Sequence, residues 1–399
     1  MLSEKRILQE AEALLPEIVR IRRHIHQYPE LSYAEHGTAE FISETLTAQG
    51  IEHIRNVAGT GIIGIIWGEA AGKGLTAGLR ADMDALPVTE REGSEYRSLN
   101  EGVMHACGHD AHIAMLLGAA KIINSRRDEF AGKVLLVFQP GEEKAPGGAK
   151  LITRSGILDQ FRPDLFIAQH VAPELESGTA GFCSGPAMAS CDEIYITVTG
   201  RGGHAARPSE YTDQIRIASE LVIALKDTIE TAAETKAPTV LAIGRITGCG
   251  ATNVIPEKVE IAGTFRTFSE EWRKEAKEMM RLTAARLAAE KGVTIDVNIV
   301  EGYPVLVNDA KLTSGAAALC GVLLGEGRVK DIEPRMGSED FSFFAELYPS
   351  LLYRLGVTRK GDIIRHLHTP SFDLDEDVMA TGAATMAWLA LNLISMPQG

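Results

Sequence analysis

Four short apolar runs, Gly61–Trp67, Leu75–Ala81, Lys133–Gln139 and Asp164–Gln169, alternate over the first half of the chain with stretches of helical periodicity at Ile7–His26, Thr38–Gln49 and Ala111–Arg126. Runs of this length rich in Val, Ile and Leu read as strands, and apolar positions recurring every three or four residues read as helices with one face to bury. Their alternation predicts an α/β fold, a layered domain whose central, mostly parallel sheet is flanked by helices. Pro16 falls inside the first helical stretch and is a point where it could kink or split.

From about residue 190 the rhythm changes. A strand (Glu193–Gly200), a helix (Tyr211–Thr231), two strands (Thr239–Thr247 and Lys258–Phe268), a helix (Glu270–Lys291) and a strand (Thr294–Val300) follow in turn. This βαββαβ order is the ferredoxin-like α+β pattern. After Pro304 the helix-rich α/β alternation resumes, with a buried-looking strand at Leu351–Leu355 and an amphipathic helix from Asp375 to Leu393. The expected organisation is a catalytic domain of residues 1–187 and 302–399, with residues 188–301 inserted in it as a smaller domain; 399 residues suffice for both cores.

Composition removes several function classes. At 45% hydrophobic and 24% charged the chain is ordinary globular material. Its 40 basic and 54 acidic residues leave a net charge of −14, which repels nucleic-acid phosphates and anionic membranes, and no basic patch reverses it. No apolar stretch approaches the roughly 18 to 20 residues that span a bilayer. Residues 1–23 mix Glu, Lys and Arg with Leu and Ile, unlike an export signal. Five scattered cysteines (Cys107, Cys183, Cys191, Cys249 and Cys320) do not make a disulfide framework, so a reducing, cytoplasmic location is expected. Gly59-Thr60-Gly61-Ile62-Ile63-Gly64 matches a dinucleotide-binding string, but a strand follows it where a helix should open.

Four segments place metal-capable side chains at strand ends or a helix start, where open α/β sheets carry their ligands. Asp82 and Asp84 follow the run Leu75–Ala81, Glu142 and Glu143 follow Lys133–Gln139, and His170 directly follows Asp164–Gln169. The fourth is His105-Ala106-Cys107-Gly108-His109-Asp110-Ala111-His112, ahead of the apolar helix Ile113–Ile123. There Asp110 is the expected N-cap, and a helix N-terminus suits Cys107 to act as a thiolate ligand with His109 as its nitrogen partner. Adjacent carboxylates repel, so Glu142 and Glu143 imply different tasks, one holding a cation and the other serving as general base. Metal-activated water with a carboxylate base is a standard route to amide hydrolysis. Of His366 and His368, the latter, beside Thr369-Pro370, is the expected ligand.

Read together, Arg23-His24-Ile25-His26 with Pro29-Glu30-Leu31, Arg80-Ala81-Asp82-Met83-Asp84-Ala85-Leu86-Pro87, Met104 to His112, Gln139-Pro140-Gly141-Glu142-Glu143, Gly203-His204-Ala205-Ala206-Arg207-Pro208 and His368-Thr369-Pro370-Ser371-Phe372 resemble one family across essentially the whole chain. It is the metal-dependent amidohydrolases of the aminoacylase and carboxypeptidase superfamily, in the branch of hippurate hydrolase, N-acyl-amino-acid deacetylases and indoleacetyl-amino-acid hydrolases. The resemblance implies hydrolysis of N-acyl amino acids at a two-metal site with Cys107, His109, Glu143, His170 and His368 as ligands. It implies Glu142 as general base and Asp82 as a carboxylate that orients a ligand histidine. The inserted domain would be a lid through which the chain forms a homodimer. His204 would reach the partner subunit's site and stabilise the oxyanion, and Asn253 and Arg266 would hold the substrate's carbonyl or carboxylate. Thiolate, imidazole and carboxylate together suit Zn²⁺, with Mn²⁺, Co²⁺ or Ni²⁺ as alternatives. A dipeptidase or exopeptidase using the same residues is the nearest rival, and a silent ligand-binding protein a more distant one.

Overall fold

In the computed structural model, which describes residues 3–394, the chain divides into two compact units. The first takes the residues up to Gly185, Val307–Glu333 and those from Asp340 on; the second takes Pro186–Leu306 and Pro334–Glu339. The return of Pro334–Glu339 to the second unit has no mark in the sequence pattern.

The chain opens with α1 (Glu4–Gln27) and α2 (His36–Ala48), then β1 (Glu52–Val57), β2 (Gly61–Trp67), β3 (Thr76–Asp82), α3 (His109–Asn124), β4 (Lys133–Gln139) and α4 (Gly148–Arg154). Next come β5 (Leu165–Glu176), β6 (Ala180–Phe182) and β7 (Gly185–Met188). The second unit carries β8 (Asp192–Thr199), β9 (Gly203–His204), α5 (Gln214–Ala233), β10 (Thr239–Gly248), β11 (Val254–Ile255), β12 (Lys258–Thr267), α6 (Glu270–Lys291) and β13 (Thr294–Glu301). After them run β14 (Leu306–Asn308), α7 (Ala310–Leu324), β15 (Val329–Asp331), α8 (Ser342–Ala345), β16 (Ser350–Thr358) and α9 (Val378–Ile394).

The first unit is built on an eight-stranded sheet in the order β1-β2-β4-β3-β5-β16-β6-β15. It is mixed: the central β4-β3-β5-β16 stretch is parallel, whereas β1-β2, β2-β4 and β16-β6 are antiparallel. Strand alternation divides its side chains between two faces. Ala77, Leu79 and Ala81 of β3 and Leu165 and Ile167 of β5 join the core beneath α1, α3 and α9. Phe166 points the other way, stacking on Phe344 of α8 at 4.6 Å.

Helix α3 is apolar on every side, and nearly all its residues from His109 to Ile123 are buried, as a helix enclosed by neighbours requires. Helix α9 is likewise buried all round, from Val378 to Ile394, which corrects the expected amphipathic pattern: α1, α3 and α7 cover it. Helix α1 runs unbroken through Pro16, because Ile7, Ala11, Ile18, Ile21 and Ile25 are all anchored in the core on its inner face.

The second unit has a four-stranded antiparallel sheet in the order β10-β12-β8-β13. Its core joins Ile194, Ile196 and Val198 of β8 and Val259, Ile261 and Phe265 of β12 to Leu221 and Leu225 of α5 and Trp272 and Met280 of α6. The intervening β8 residues Glu193, Tyr195 and Thr199 are exposed, the alternation of a sheet covered on one face.

Candidate metal centre

Within the first unit, β3 delivers Asp82 at its end, and Asp84 follows it. The buried Asp84 carboxylate accepts the backbone N–H groups of Glu142 (3.0 Å) and Glu143 (2.9 Å) and the Ser32 hydroxyl (2.6 Å). It thereby fixes the loop after β4. Gly141 turns that loop at φ 59°, where a Cβ would lie 2.3 Å from the Tyr33 ring, and its N–H is taken by the buried Glu35 (2.8 Å).

The Cys107-Gly108-His109 bend depends on Gly108, whose φ is 83° and whose Cβ would stand 2.6 Å from Val171 of β5. Helix α3 opens directly after it, at His109, with Gly108 as the flanking residue. Asp110 therefore lies in the first turn and is not the cap; its carboxylate takes Arg22 Nε (3.1 Å) and His26 Nδ1 (2.8 Å) from α1. Burial would raise the Asp110 pKa, but these two partners hold it far below the usual carboxylate range.

His109 Nδ1 donates to the Asp84 carbonyl (2.8 Å), which leaves Nε2 as the working nitrogen. That atom is buried without a hydrogen-bond partner, 3.6 Å from Asp82 and 4.0 Å from Glu143 Oε1. Burial would lower the His109 pKa, but Asp82 and Cys107 raise it well above its ordinary value. His170 is the opposite case: burial first, then Arg354, push its pKa well below the ordinary value. Its ring is neutral, Nδ1–H donating to the Val171 carbonyl (2.8 Å) and Nε2 facing Cys107 Sγ at 3.6 Å.

His368 holds a left-handed backbone at φ 59°, tied by its N–H to the Ala106 carbonyl (2.8 Å). Its Nε2 lies 3.3 Å from Cys107 Sγ and 3.2 Å from Glu143 Oε1, and these two partners lift its pKa to about 10. For Cys107, burial and then Glu143 raise the thiol pKa, with His109 opposing. Burial thus works against a thiolate at Cys107 as long as no cation is bound there.

Cys107 is shared by two neighbouring trios, Cys107-His109-His170 and Cys107-Glu143-His368, each with its donor atoms within 4.8 Å of one another. Glu142 joins His109 and Glu143 in a third such group. The donor set fits divalent cations. One buried ring nitrogen, His109 Nε2, has no hydrogen-bond partner and faces the Cys107 thiol, the His170 imidazole and the Glu143 carboxylate. Protons held by His109 and Cys107 would leave as a cation enters, the usual coupling of metal binding to titration.

The structure thus gathers Cys107, His109, Glu142, Glu143, His170 and His368 in one place, and leaves His366 exposed. Asp82 is adjacent but takes a different partner from the expected one. Its Oδ1 accepts from His112 (2.6 Å) and its Oδ2 from Arg80 (2.6 Å), while the outer nitrogen of His109 goes to the Asp84 carbonyl, which lies beyond the end of β3. His170 also differs from its expected place after a strand. It lies within β5, which continues to Glu176 because residues 170–172 keep pairing with Arg354–Gly356 of β16.

His204, Asn253 and Arg266 lie in the second unit. His204 is exposed on β9, paired with Val254 of β11, beside the equally exposed Asn253. Arg266, near the other end of β12, donates to the Met336 carbonyl (2.9 Å). Asp84, Glu35 and His112 were not singled out from sequence as supports of the site. Their signals, Asp-x-Asp after a strand and His-x-x-His opening a helix, name candidates but not partners.

A cluster of this composition, set on parallel strands and a helix start, defines an α/β protein built to hold divalent cations. The chain belongs to the peptidase family M20/M25/M40, whose profile matches residues 78–392. It is 38% identical over 380 residues to thermostable carboxypeptidase 2 of Saccharolobus solfataricus, covering 94% of this chain and 95% of that one. It is 37% identical over 360 residues to the N-acetyl-L-cysteine deacetylase of Bacillus subtilis, covering 90% and 84%. The crystal structure of Bacillus subtilis YXEP protein, described as a dinuclear metal binding peptidase from the M20 family, superposes with a TM-score of 0.82 at 31% identity, covering 96% of this chain and 99% of that one.

Proposed function

We propose that this chain hydrolyses the amide bond of N-acyl amino acids to a carboxylic acid and a free amino acid. The observation that carries the reading is the pair of trios sharing Cys107, with Glu142 beside them. The similarity to an N-acetyl-L-cysteine deacetylase supports an acylated amino acid as substrate. The similarity to the dinuclear YXEP protein supports two cations per chain. Cys107, His109 and His170 would hold one and Cys107, Glu143 and His368 the other, with Zn²⁺, Mn²⁺, Co²⁺ or Ni²⁺ able to fill such a donor set.

The chemistry that such cations supply when bound is Lewis acidity, polarising the scissile carbonyl and easing deprotonation of water. Glu142 takes the proton from the attacking water and returns it to the leaving nitrogen. Asp84 keeps Glu142 and Glu143 in place through their backbone N–H groups. Asp82 holds His112, whose ring packs against that of His109. His204 would donate to the developing oxyanion in a partner subunit. Asn253 and Arg266 would hold the substrate's carbonyl and free carboxylate, the latter by a charge-assisted fork. This assigns the inserted unit the role of lid and homodimer interface. Among the described residues no helix is long and apolar enough to cross a membrane.

A second reading, cleavage of free-amine peptides by the same residues, is favoured by the similarity to a carboxypeptidase. A substrate panel separates the two. Metal-loaded protein should release amino acid from N-acetyl, N-benzoyl or indoleacetyl conjugates; release from dipeptides alone would overturn the deacylase reading.

A further inference from the structure

Asp82, His109 and His112 form another group whose donor atoms approach within 4.8 Å, and on distance alone it could pass as a further metal trio. The hydrogen bonds of His112 exclude that. Its Nδ1 lies 2.6 Å from Asp82 Oδ1, and its Nε2 accepts the backbone N–H of Val171 at 3.0 Å. A ring nitrogen that accepts from a main-chain N–H carries no proton, so Nδ1 carries it and donates to Asp82. Neither nitrogen of His112 has a lone pair left for a cation.

The place of this bond in the sheet gives it a purpose. Strands β3 and β5 pair from Ala77–Leu165 to Arg80–Ala168 and then part. The Val171 N–H, just beyond that parting, is met by His112 from α3. The same residue's carbonyl accepts Nδ1–H of His170, which aims His170 Nε2 at Cys107 Sγ. The His112 ring also packs against both ligand candidates, its centroid 4.6 Å from that of His170 and 5.4 Å from that of His109.

We propose that His112 is a positioning residue. With its tautomer fixed by Asp82, it replaces the missing strand partner of Val171 and so sets the angle at which His170 meets a cation shared with Cys107 and His109. The inference rests on reading the cluster as a metal site, and its test does not require turnover. Apo protein is titrated with Co²⁺, following affinity against a competing chelator and the thiolate-to-cobalt charge-transfer band of Cys107, for wild type, His112→Phe and His112→Gln. Phenylalanine keeps the ring and loses both hydrogen bonds, whereas the glutamine amide can donate to Asp82 and accept from Val171.

The expected result is an affinity loss of about 10- to 100-fold for one of two cobalt ions in His112→Phe, the range typical of outer-shell partners of metal ligands. In His112→Gln the loss should be within about threefold, with kcat falling more than KM rises in the first variant and recovering in the second. Wild-type cobalt affinity in His112→Phe would overturn the proposal. So would an equal loss in both variants, which would make His112 itself a ligand. Should His112→Phe not fold, His112→Asn, which reaches Asp82 but falls short of Val171, carries the same expectation and the same contrary result. If wild type binds cobalt yet hydrolyses no amide, the functional reading fails while the affinity comparison still decides the role of His112.

Discussion

Two adjacent glutamates in one loop have been given different surroundings. Glu143, half-buried, turns Oε1 toward His109 and His368, while Glu142, which is buried, joins His109 and Glu143 without reaching Cys107 within the same group. Glu142→Gln should therefore lower kcat by about 10²- to 10⁴-fold while leaving the metal content unchanged, as steady-state kinetics beside metal analysis would show. A titration far from turnover concerns His26. Burial alone would lower its pKa, but Asp110 and Glu90 raise it from 6.5 to about 9. The folded state holds that proton more tightly than the unfolded chain, so the stabilisation is complete below about pH 6.5 and is lost as pH rises through about 9. The expected magnitude is on the order of 3 kcal/mol. Thermal melts of wild type and His26→Gln should accordingly differ most near pH 6 and converge toward pH 10; a constant gap would show that His26 acts through packing alone. At this scale the letters of the site were legible, since cysteine, histidine and paired glutamates declare their chemistry. Their partners were not. That the His109 ring is held by the Asp84 carbonyl, and that Asp82 instead serves His112, depends on where β3 stops, which no local pattern reports.

The elements fix the site through a few main-chain requirements. Gly108 is the sharpest of them, combining a left-handed φ with a close approach to Val171. Gly108→Ala should cost about 1 to 3 kcal/mol, from left-handed strain and displacement of Val171, and should weaken metal binding as well. Denaturant unfolding with and without metal would register both; a variant as stable as wild type would mean the bend tolerates a side chain. The long strands β2, β3, β4 and β16 and the helices around them were readable because apolar runs and helical periods are strong signals. Short strands such as β1, β6 and β15 were not, since three to six residues, some of them exposed, leave little pattern. The extension of β5 through His170 to Glu176 was hidden for another reason: its support is the register with β16, which lies far along the chain beyond the whole second unit.

At the scale of the whole molecule, the break in rhythm near residue 190 marked a second unit, and a βαββαβ order implied the antiparallel sheet seen there. The return of Pro334–Glu339 to that unit needed the structure. The proposed homodimer makes a prediction of its own. Mixing His204→Ala subunits with Glu142→Ala subunits should restore part of the activity, because a mixed dimer would retain one intact composite site. No recovery despite demonstrated subunit exchange would confine His204 to its own chain. The net charge of −14 also takes on a local meaning, since Asp82, Asp84, Glu142 and Glu143 concentrate acidity around the cluster where cations are expected. The central claim, amide hydrolysis at a two-cation site, is tested most directly by titrating metal-free protein with Mn²⁺ or Co²⁺ while following amino-acid release from an N-acetyl amino acid. The account predicts no turnover without metal and a rise that levels off at about two ions per chain. Full turnover with less than one ion per chain would contradict it.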